Sequence, residues 1–398
     1  MNTVYFDNSA TTKTDDEVFQ AMLPYLTENY GNPSSIYKLG RENRKAVEEA
    51  REKVAKALNC EVNEIYFTAG GSESDNTSIR GIAYSYQNKG KHIITSKIEH
   101  PAVLETCKQL EKEGFEVTYV GVNEKGIVDL EELKRAIKPT TTLISIMFAN
   151  NEIGTIQPIK EIGKIAKENE IFFHTDSVQA VGCVKIDVKE LGIDSLSLSA
   201  HKFYGPKGIG ALYVRKGVKF AKLLNGGHQE RNQRAGTENV AGIVGLGKAI
   251  ELAYRDFDEH TQKIKKLRDY YVEQVKEKIP YIRINGDMEN RLPGNSNISF
   301  QFIEGESLLL NLDLKGICAS SGSACTSGSL DPSHVLLAIG VPHEIAHGSL
   351  RISIGKYNTK EEVDYLVENL VEIVNRLREM SPLWEKFIEE KNANNQIS

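Results

Sequence analysis

Between about residues 60 and 215, short apolar segments alternate with segments of helical period, and this alternation constrains the fold more than any other sequence feature. The segments that predict strands are Glu64–Thr68, His92–Ser96, Phe115–Val120, Thr142–Phe148, Ile171–Thr175, Ser195–Ser199 and Ile209–Val214. Those that predict crossover helices include Pro101–Glu113, Asp129–Lys138 and Ile159–Asn169. The pattern predicts an α/β fold with a mostly parallel sheet, covered by helices on both faces and carrying its site at the carboxyl ends of the strands.

The remaining sequence predicts a second, smaller α+β domain. Amphipathic segments at about 240–278 and 360–378 flank two short apolar segments, Asn297–Phe302 and Ser349–Ile354. We expect residues 1–14 and 250–398 to form this smaller domain and residues 15–249 to form the large one. Helices predicted at Asp15–Asn29 and Tyr37–Asn59 have no strands of their own. We expect them to pack on the smaller domain or on another subunit.

Charge and cysteine content exclude several classes of protein. The chain has 49 basic and 55 acidic residues, a net charge of −6, so no overall basic field favours nucleic acid or an anionic membrane. The five cysteines include no Cys-x-x-Cys pair, which argues against a disulfide scaffold or a thiolate zinc site. The beginning MNTVYFDNSATTKTDDE is unlike a signal peptide, and no apolar run approaches the roughly 20 residues of a membrane span. These features predict a cytoplasmic protein.

Two polar segments at predicted strand ends carry groups suited to cofactor chemistry. The segment SLSLSAHKFYGPKGIG places Lys202 after a strand, and IFFHTDSVQA brings Asp176 and Gln179 to the same sheet edge. A lysine there can bind an aldehyde cofactor as a Schiff base, and a carboxylate can keep a pyridinium nitrogen protonated. A solvated lysine and a helix-capping aspartate are the structural alternatives.

A glycine-rich segment, TAGGSESDN, follows the first of these strands at the start of a predicted helix. With Ser72 at the helix cap, its backbone amides and the positive end of the helix dipole would face a phosphate. An ordinary turn is the alternative. This segment and the two previous ones are all predicted at the same sheet edge, which favours a phosphate-binding role over an ordinary turn.

The segment ASSGSACTSGS surrounds Cys325 with small and polar residues. Packing gives no reason for a cysteine in such a loop, which we expect to be exposed and to offer an accessible, nucleophilic thiol. The other four cysteines are expected to be packing residues, and they are Cys60, Cys107, Cys183 and Cys318.

The sequence HEIAH, at His343–His347, matches a zinc-binding helix pattern. Pro342 and Gly348 bracket it and leave barely one turn of helix, and no obvious third ligand follows. We therefore predict no metal site there.

Taken together, these segments resemble the cysteine desulfurases of the NifS/IscS group, which have fold type I of the pyridoxal-phosphate enzymes. The resemblance runs in order through YFDNSATT, GNPSS, FTAGGSESDN, the pair Glu99-His100, NNEIGTIQP, HTDSVQA, SAHKFYGPKG, GGHQERNQRAGTEN, SSGSACTSGSLDPSHVL and LRISIG. It covers nearly the whole chain. It implies a pyridoxal-phosphate-dependent transferase with a large, mostly parallel domain and a smaller α+β domain. One departure is His228, which stands where many relatives carry another glycine.

The resemblance also implies how the cofactor ring, that of pyridoxal 5'-phosphate, would be held. Lys202 would bind it covalently and His100 would stack on it. Asp176 would pair with the ring nitrogen, and Gln179 and Asn151 would address the phenolic oxygen and the ring substituents.

Further roles follow from the same resemblance. The phosphate would be bound by Gly71, Ser72, Ser199 and His201. Thr237 would reach the phosphate of the neighbouring subunit, which implies a homodimer with shared sites. Arg351 would bind the carboxylate of the substrate, Asn151 would also contact the substrate, and the Cys325 thiolate would take the sulfur.

The activity that the resemblance implies is conversion of L-cysteine to L-alanine, with a persulfide on Cys325. Its sulfur would pass to an iron–sulfur scaffold or another acceptor protein. Lys202 would shuttle protons, with His100 as an acid or base. Two alternatives remain: another pyridoxal-phosphate reaction, such as transamination or selenocysteine lysis, which would not need Cys325, and a catalytically silent scaffold, which would not need Lys202 or Asp176.

Overall fold

The computed structural model describes residues 3–321 and 332–397, so the predicted nucleophile Cys325 lies outside the described residues. The strands, in chain order, are β1 (Val4–Tyr5), β2 (Ile65–Thr68), β3 (His92–Ser96), β4 (Glu116–Val120), β5 (Thr141–Ser145), β6 (Phe172–Asp176), β7 (Ser195–Ser199), β8 (Gly210–Val214), β9 (Ile282–Ile284), β10 (Asn295–Phe300), β11 (Ile317–Cys318) and β12 (Ser349–Ser353). The helices are α1 (Asp16–Met22), α2 (Pro24–Thr27), α3 (Lys38–Leu58), α4 (Gly71–Tyr86), α5 (Pro101–Lys112), α6 (Leu130–Ala136), α7 (Ile159–Glu168), α8 (Val240–Arg255), α9 (Phe257–Lys278), α10 (Gly305–Leu314), α11 (His334–Ala338), α12 (His343–His347), α13 (Lys360–Glu379) and α14 (Pro382–Ile397). None of the helices within these ranges is both long and apolar enough to span a membrane.

The central sheet of the described chain has seven strands in the order β2-β8-β7-β6-β5-β3-β4. Strands β4, β3, β5, β6 and β7 are parallel, and β8 runs antiparallel to both β7 and β2. Because β2 therefore points the same way as β7, the carboxyl ends of β2, β3, β5, β6 and β7 meet at one edge. All seven predicted strands are present, and the predicted mostly parallel α/β sheet is confirmed.

Adjacent residues on each strand face opposite sides of this sheet, as the two-residue period of a strand requires. Ile93 packs in a core with α4 and α5, whereas Ile94 packs in a core with α3, α7 and α8. Leu143 and Ile144 divide between the same two cores. The sheet is thus covered by an apolar core on each of its two faces, as is typical of a mostly parallel sheet.

The N-terminal helices correct one expectation. Val47, Val54 and Leu58 of α3 and Val18 of α1 belong to the core that also contains Leu246 of α8. These helices thus cover the large sheet rather than the smaller domain. The apolar stripe of each helix must pack against another apolar surface, because burying one large apolar side chain stabilises the fold by about 1.5–3 kcal/mol. The stripe alone does not specify which surface that is.

A second core surrounds a smaller antiparallel sheet of order β12-β10-β9. Apolar side chains of α9, α10 and α13 cover it, and Val4 and Phe6 of the N-terminal segment join the same core. This supports our proposal that residues 1–14 pack with the C-terminal part. The proposed boundary at residue 250 changes, because Ile250 and Leu252 of α8 lie in the large core, whereas α9 contributes Tyr271 to the small one. We therefore propose a boundary at Asp256, between the two helices.

Candidate active site

The carboxyl edge of the large sheet borders a cavity of about 280 Å³. Ten of the predicted site residues line it: Gly71, Ser72, His100, Asn151, Asp176, Gln179, Ser199, His201, Lys202 and Arg351. They come from five strand ends and from the smaller sheet. The strand pattern predicts that most of these residues lie at one sheet edge. In the structure, all ten line the same cavity.

Lys202 lies one short turn beyond β7, and its side chain is half-buried. Its ammonium Nζ donates hydrogen bonds to the backbone oxygens of Ser9, at 2.5 Å, and Ala10, at 2.8 Å. A solvated loop lysine, the alternative interpretation, would have neither the burial nor these partners. The amine is held within the cavity.

Asp176 is the last residue of β6 and only 7% exposed. Its Oδ1 accepts a hydrogen bond of 2.9 Å from the backbone N–H of Val178. No helix of the described chain begins there, so the helix-capping interpretation is wrong. Burial raises the pKa of Asp176 above its ordinary value, and its interactions with His100 and Lys202 only partly offset this increase. A buried carboxylate of this kind is stabilised by a cationic partner in the cavity.

His100 is the N-cap of α5, and its Nδ1 accepts a hydrogen bond of 3.1 Å from the backbone N–H of Ala102. A ring nitrogen that accepts has no proton, so the proton of the neutral ring is on Nε2. Burial lowers the pKa of His100, while the charge of Asp176 raises it. The ring therefore enters the cavity as a neutral imidazole at neutral pH.

The start of α4 differs in one detail from the prediction. The N-cap is Gly70, at φ 156°, and Ser72 lies inside the first turn rather than at the cap. A Cβ on Gly71 would lie 2.6 Å from Cγ2 of Val178, so only glycine fits there without a shift. The first amides of a helix have no partner within the helix, and at the end of a 16-residue helix they favour an anion.

Ser199 and His201 also line the cavity, and Ser199 lies beside this turn. Oγ of Ser199 would be 3.8 Å from a Cβ on Gly70, and Nδ1 of His201 is 3.1 Å from Oγ1 of Thr11. Burial, followed by the charge of Lys202, lowers the pKa of His201 to about 4. His201 is thus a neutral hydrogen-bonding group at pH 7.

Arg351, on β12 of the smaller sheet, completes the cavity. Its side chain is 2% exposed, and its Nη1 donates to the backbone oxygen of Asn151 at 3.1 Å. Its Nη2 pairs with Oδ1 of Asp7 at 2.8 Å. A buried guanidinium beside a cavity can bind a carboxylate through its remaining N–H groups.

Sequence reasoning missed the N-terminal segment as a part of the site. Ser9 and Ala10 line the cavity, and the oxygen of Ser9 also accepts from Nε2 of Gln179 at 2.9 Å. The only signal was the polar run YFDNSATT, to which no role had been assigned. These residues act mainly through backbone oxygens, which every residue has, so their side chains did not reveal them.

A second missed residue is Glu99, which is fully buried next to His100. Its Oε1 accepts from Oγ of Ser96 at 2.7 Å and from the N–H of Met147 at 2.9 Å. Burial raises the pKa of Glu99 to about 8. Through its hydrogen bond with Met147, Glu99 connects the turn before His100 to the segment that follows β5.

The other two predicted site residues are Thr237 and Cys325. Thr237 is exposed and is not among the lining residues, and Cys325 lies outside the described residues. Their roles stay predictions. Of the other cysteines, Cys107 is part of a core and Cys60 packs against one, as expected.

The histidine pair of α12 was predicted to be a short helix without a metal. The helix has five residues, as its flanking proline and glycine imply, and the rings of His343 and His347 are 4.6 Å apart between centroids. Within residues 3–321 and 332–397, no three or more His, Cys, Asp or Glu side chains are arranged to hold a metal ion.

Fold and site together define a class of enzyme. A mostly parallel sheet presents a lysine, a buried carboxylate and a helix N-terminus around one cavity, which suits a transferase that uses a phosphate-bearing cofactor. The sequence model of the family described as aminotransferase class-V matches residues 4–366. The chain belongs to this family.

Within this family, the chain belongs to the cysteine desulfurases. It is 60% identical over 390 residues to the cysteine desulfurase IscS of Clostridium botulinum (strain Hall), with 98% of each chain covered. A solved NifS-like protein shares 43% identity at a TM-score of 0.89, covering 94% of this chain and 100% of that one. SspA, solved in complex with cysteine, shares 38% identity at a TM-score of 0.80, covering 90% and 100%. The family predicted from the motifs is confirmed.

Proposed function

We infer that the chain is a cysteine desulfurase that takes sulfur from L-cysteine, leaves L-alanine and uses pyridoxal 5'-phosphate as its cofactor. One observation carries this proposal: Lys202, Asp176 and the first turn of α4 converge on the cavity that Arg351 also lines. The cysteine-bound relative and the IscS relatives support the choice of substrate.

The residues present fit this cofactor. The glycine turn at Gly70 and Gly71 starts α4, whose first backbone amides can bind a phosphate, and the Asp176 carboxylate can pair with a protonated ring nitrogen. Lys202 supplies the amine for a covalent attachment, and the His100 ring borders the same space. When bound, the cofactor withdraws electrons from the reacting carbon of the substrate.

The chain's own residues would bind the substrate and move its protons. Arg351 would bind the α-carboxylate, because its guanidinium retains N–H groups beyond those used by Asn151 and Asp7. The Lys202 amine, which lines the same cavity, would take up and return a proton. His100, neutral with its proton on Nε2, would act as the acid or base at the sulfur.

Sulfur transfer itself would use Cys325. Its thiolate would attack the sulfur of the substrate, so a sulfur–sulfur bond forms while the Cβ–S bond of L-cysteine breaks. The electron pair of the broken bond goes to Cβ, which takes a proton and becomes the methyl group of L-alanine. The persulfide would then be passed to an acceptor protein, such as an iron–sulfur scaffold.

We also propose a homodimer in which Thr237 of one subunit completes the site of the other. Thr237 is exposed, and so are several large apolar side chains of the N-terminal helices and the loop after them. The most exposed of these are Leu26, Tyr30, Ile36 and Tyr37. Exposed apolar clusters of this kind mark interfaces. The cysteines in the described part of the chain are unpaired, which suits the reducing cytoplasm that we propose as its location.

The function is tested by measuring L-alanine, sulfide and protein persulfide from L-cysteine, with Cys325→Ser as the variant. The half-buried Cys60, which packs against the large core, provides the control Cys60→Ser. We expect the wild type and the control to form a persulfide and the variant to form none. Sulfide release by Cys325→Ser at the wild-type rate would refute the assigned nucleophile.

The shared site is tested by mixing two inactive variants, Lys202→Ala and Thr237→Ala, in one dimer. One site of the mixed dimer then carries both changes, and the other has an intact Lys202 with an intact Thr237 from its partner. We expect the mixture to regain activity. If Thr237 serves its own subunit, no site is intact and the mixture stays inactive.

A further inference from the structure

The N-terminal segment holds an acidic side chain against the proposed substrate-binding arginine. Residues 6–9 run alongside β12, where the N–H of Ser353 donates to the oxygen of Phe6 at 2.7 Å and the N–H of Ser9 donates to Oγ of Ser353 at 2.9 Å. Asp7 lies in register with Ser353. Its backbone position is therefore set by sheet pairing, independently of its side chain.

The Arg351 guanidinium is fixed at two of its three nitrogens. Nη2 donates to Oδ1 of Asp7 at 2.8 Å, and Nη1 donates to the backbone oxygen of Asn151 at 3.1 Å. Nε is buried and has no hydrogen-bond partner among residues 3–321 and 332–397. A planar guanidinium has five N–H groups in a rigid arrangement, so two fixed nitrogens determine where the others point.

The same segment also binds the lysine of the site. The oxygens of Ser9 and Ala10 accept from Lys202, two and three residues after Asp7. One short stretch of backbone therefore sets the distance between the amine that would react with the substrate and the guanidinium that would bind its carboxylate.

From this geometry, and resting on the proposed function, we propose that Asp7 is a positioning residue for substrate recognition. Its carboxylate holds the Arg351 guanidinium so that the free N–H groups meet the α-carboxylate of the amino-acid substrate. Asp7 thereby makes the site selective for α-amino acids over amines that lack the carboxylate. It acts through Arg351 and does not touch the reacting atoms.

The test compares the holoenzyme forms of wild type, Asp7→Ala and Asp7→Asn, with Asp16→Ala as a control from the same region. Asp16 is exposed and pairs only loosely with Lys13 at 3.5 Å. The measured quantities are KM and kcat for L-cysteine, and the dissociation constants of L-alanine and of cysteamine, which lacks the carboxylate, from cofactor absorbance. Asp7→Asn keeps the shape and one acceptor, so it reports on the charge even where the alanine variant folds poorly.

We expect Asp7→Ala to raise KM for L-cysteine and the dissociation constant of L-alanine about tenfold or more, as for loss of a charged hydrogen bond. We expect kcat to change less than about threefold, cysteamine binding to stay at the wild-type value, and Asp7→Asn to show a smaller effect of the same sign. In an Arg351→Ala background, Asp7→Ala should add nothing.

Tighter binding of L-cysteine by Asp7→Ala would show that Asp7 competes with the substrate, and it would overturn the proposal. Equal weakening of L-alanine and cysteamine, or a fall in kcat at constant KM, would overturn it as well. The wild-type arm separates the two levels of inference. If wild type bound neither L-cysteine nor L-alanine, the proposed function would be wrong before Asp7 was considered.

Discussion

The ammonium of Lys202 donates a hydrogen bond of 2.5 Å to the backbone oxygen of Ser9, which is 193 residues away in the chain. The first residues thus form one wall of a site whose other walls are the strand ends of the large sheet. Because the same residues pair with β12 of the smaller sheet, this segment joins both sheets at the cavity. The geometry of the site therefore depends on how the large domain and the smaller domain pack together.

Lys202→Ala is expected to abolish turnover and to leave any cofactor non-covalently bound, because the variant has no amine at the end of β7. The measurement is the mass of the protein after borohydride reduction, together with alanine production. The nearby exposed residue Lys207 provides the control Lys207→Ala, which should retain both. A borohydride-stable adduct in Lys202→Ala would refute the assignment.

Asp176→Asn is expected to lower turnover by about a hundredfold or more, since a preorganised charge at the cofactor is lost. The fold should persist, because the amide oxygen can still accept from the N–H of Val178. Turnover and circular dichroism are measured on the same samples. Asp187→Asn is the control, because Asp187 also accepts from backbone N–H groups but is only half-buried and does not line the cavity. Wild-type turnover in Asp176→Asn would contradict its role.

Glu230→Ala is expected to lower the free energy of unfolding by about 3–5 kcal/mol, because it leaves the buried charge of Arg51 with only the solvent-exposed carboxylate of Glu48 as an acidic partner. The two side chains are 4% and 3% exposed and form two hydrogen bonds of 2.7 and 2.8 Å. The pair fixes a segment in which Glu230, Arg231 and Asn232 all have left-handed backbone angles. Unfolding in urea measures the effect.

The matched control for Glu230 is Glu48→Ala, since Glu48 pairs with the same Arg51 at 3.2 Å but is 49% exposed. A solvent-screened pair contributes about 0–1 kcal/mol. Equal losses of stability in Glu48→Ala and Glu230→Ala would show that burial does not decide the contribution of this pair.

Glu99→Gln is expected to change the pH dependence of stability. Burial raises the pKa of Glu99 from 4.5 to about 8, so the folded state keeps a proton that the unfolded state releases in this range. The wild type should therefore lose stability as pH rises from about 4.5 to 8, by about 1.4 kcal/mol per pH unit at most. A glutamine keeps the acceptor and has no proton to lose.

The free energy of unfolding of Glu99→Gln minus that of the wild type should thus increase from pH 5 to pH 8 and then level off. Chemical denaturation at several pH values measures this difference. The control is Glu105→Gln, on the exposed face of α5. A flat difference for Glu99→Gln would show that this carboxyl titrates alike in both states.

Much of the site was predictable because its side chains follow strand ends. Asp176 ends β6, and Lys202 follows β7 after one short turn. Apolar runs with helices between them make the strands parallel, and parallel strands put their carboxyl ends together. Two predicted details are wrong, one about a helix cap and one about which distant surface α3 covers. Ser72 is not the cap of α4, since Gly70 takes that position.

By itself, the sequence determined the elements, their parallel arrangement and the polar groups at one edge, because period and turn chemistry depend on neighbouring residues. Tertiary structure alone decided that α3 covers the large sheet, that Ser9 and Ala10 hold Lys202, and that Asp7 meets Arg351. Tertiary structure also raised the pKa of Glu99, which is a consequence of burial. These properties depend on which distant surfaces pack together, and packing is set by the whole chain rather than by any one segment.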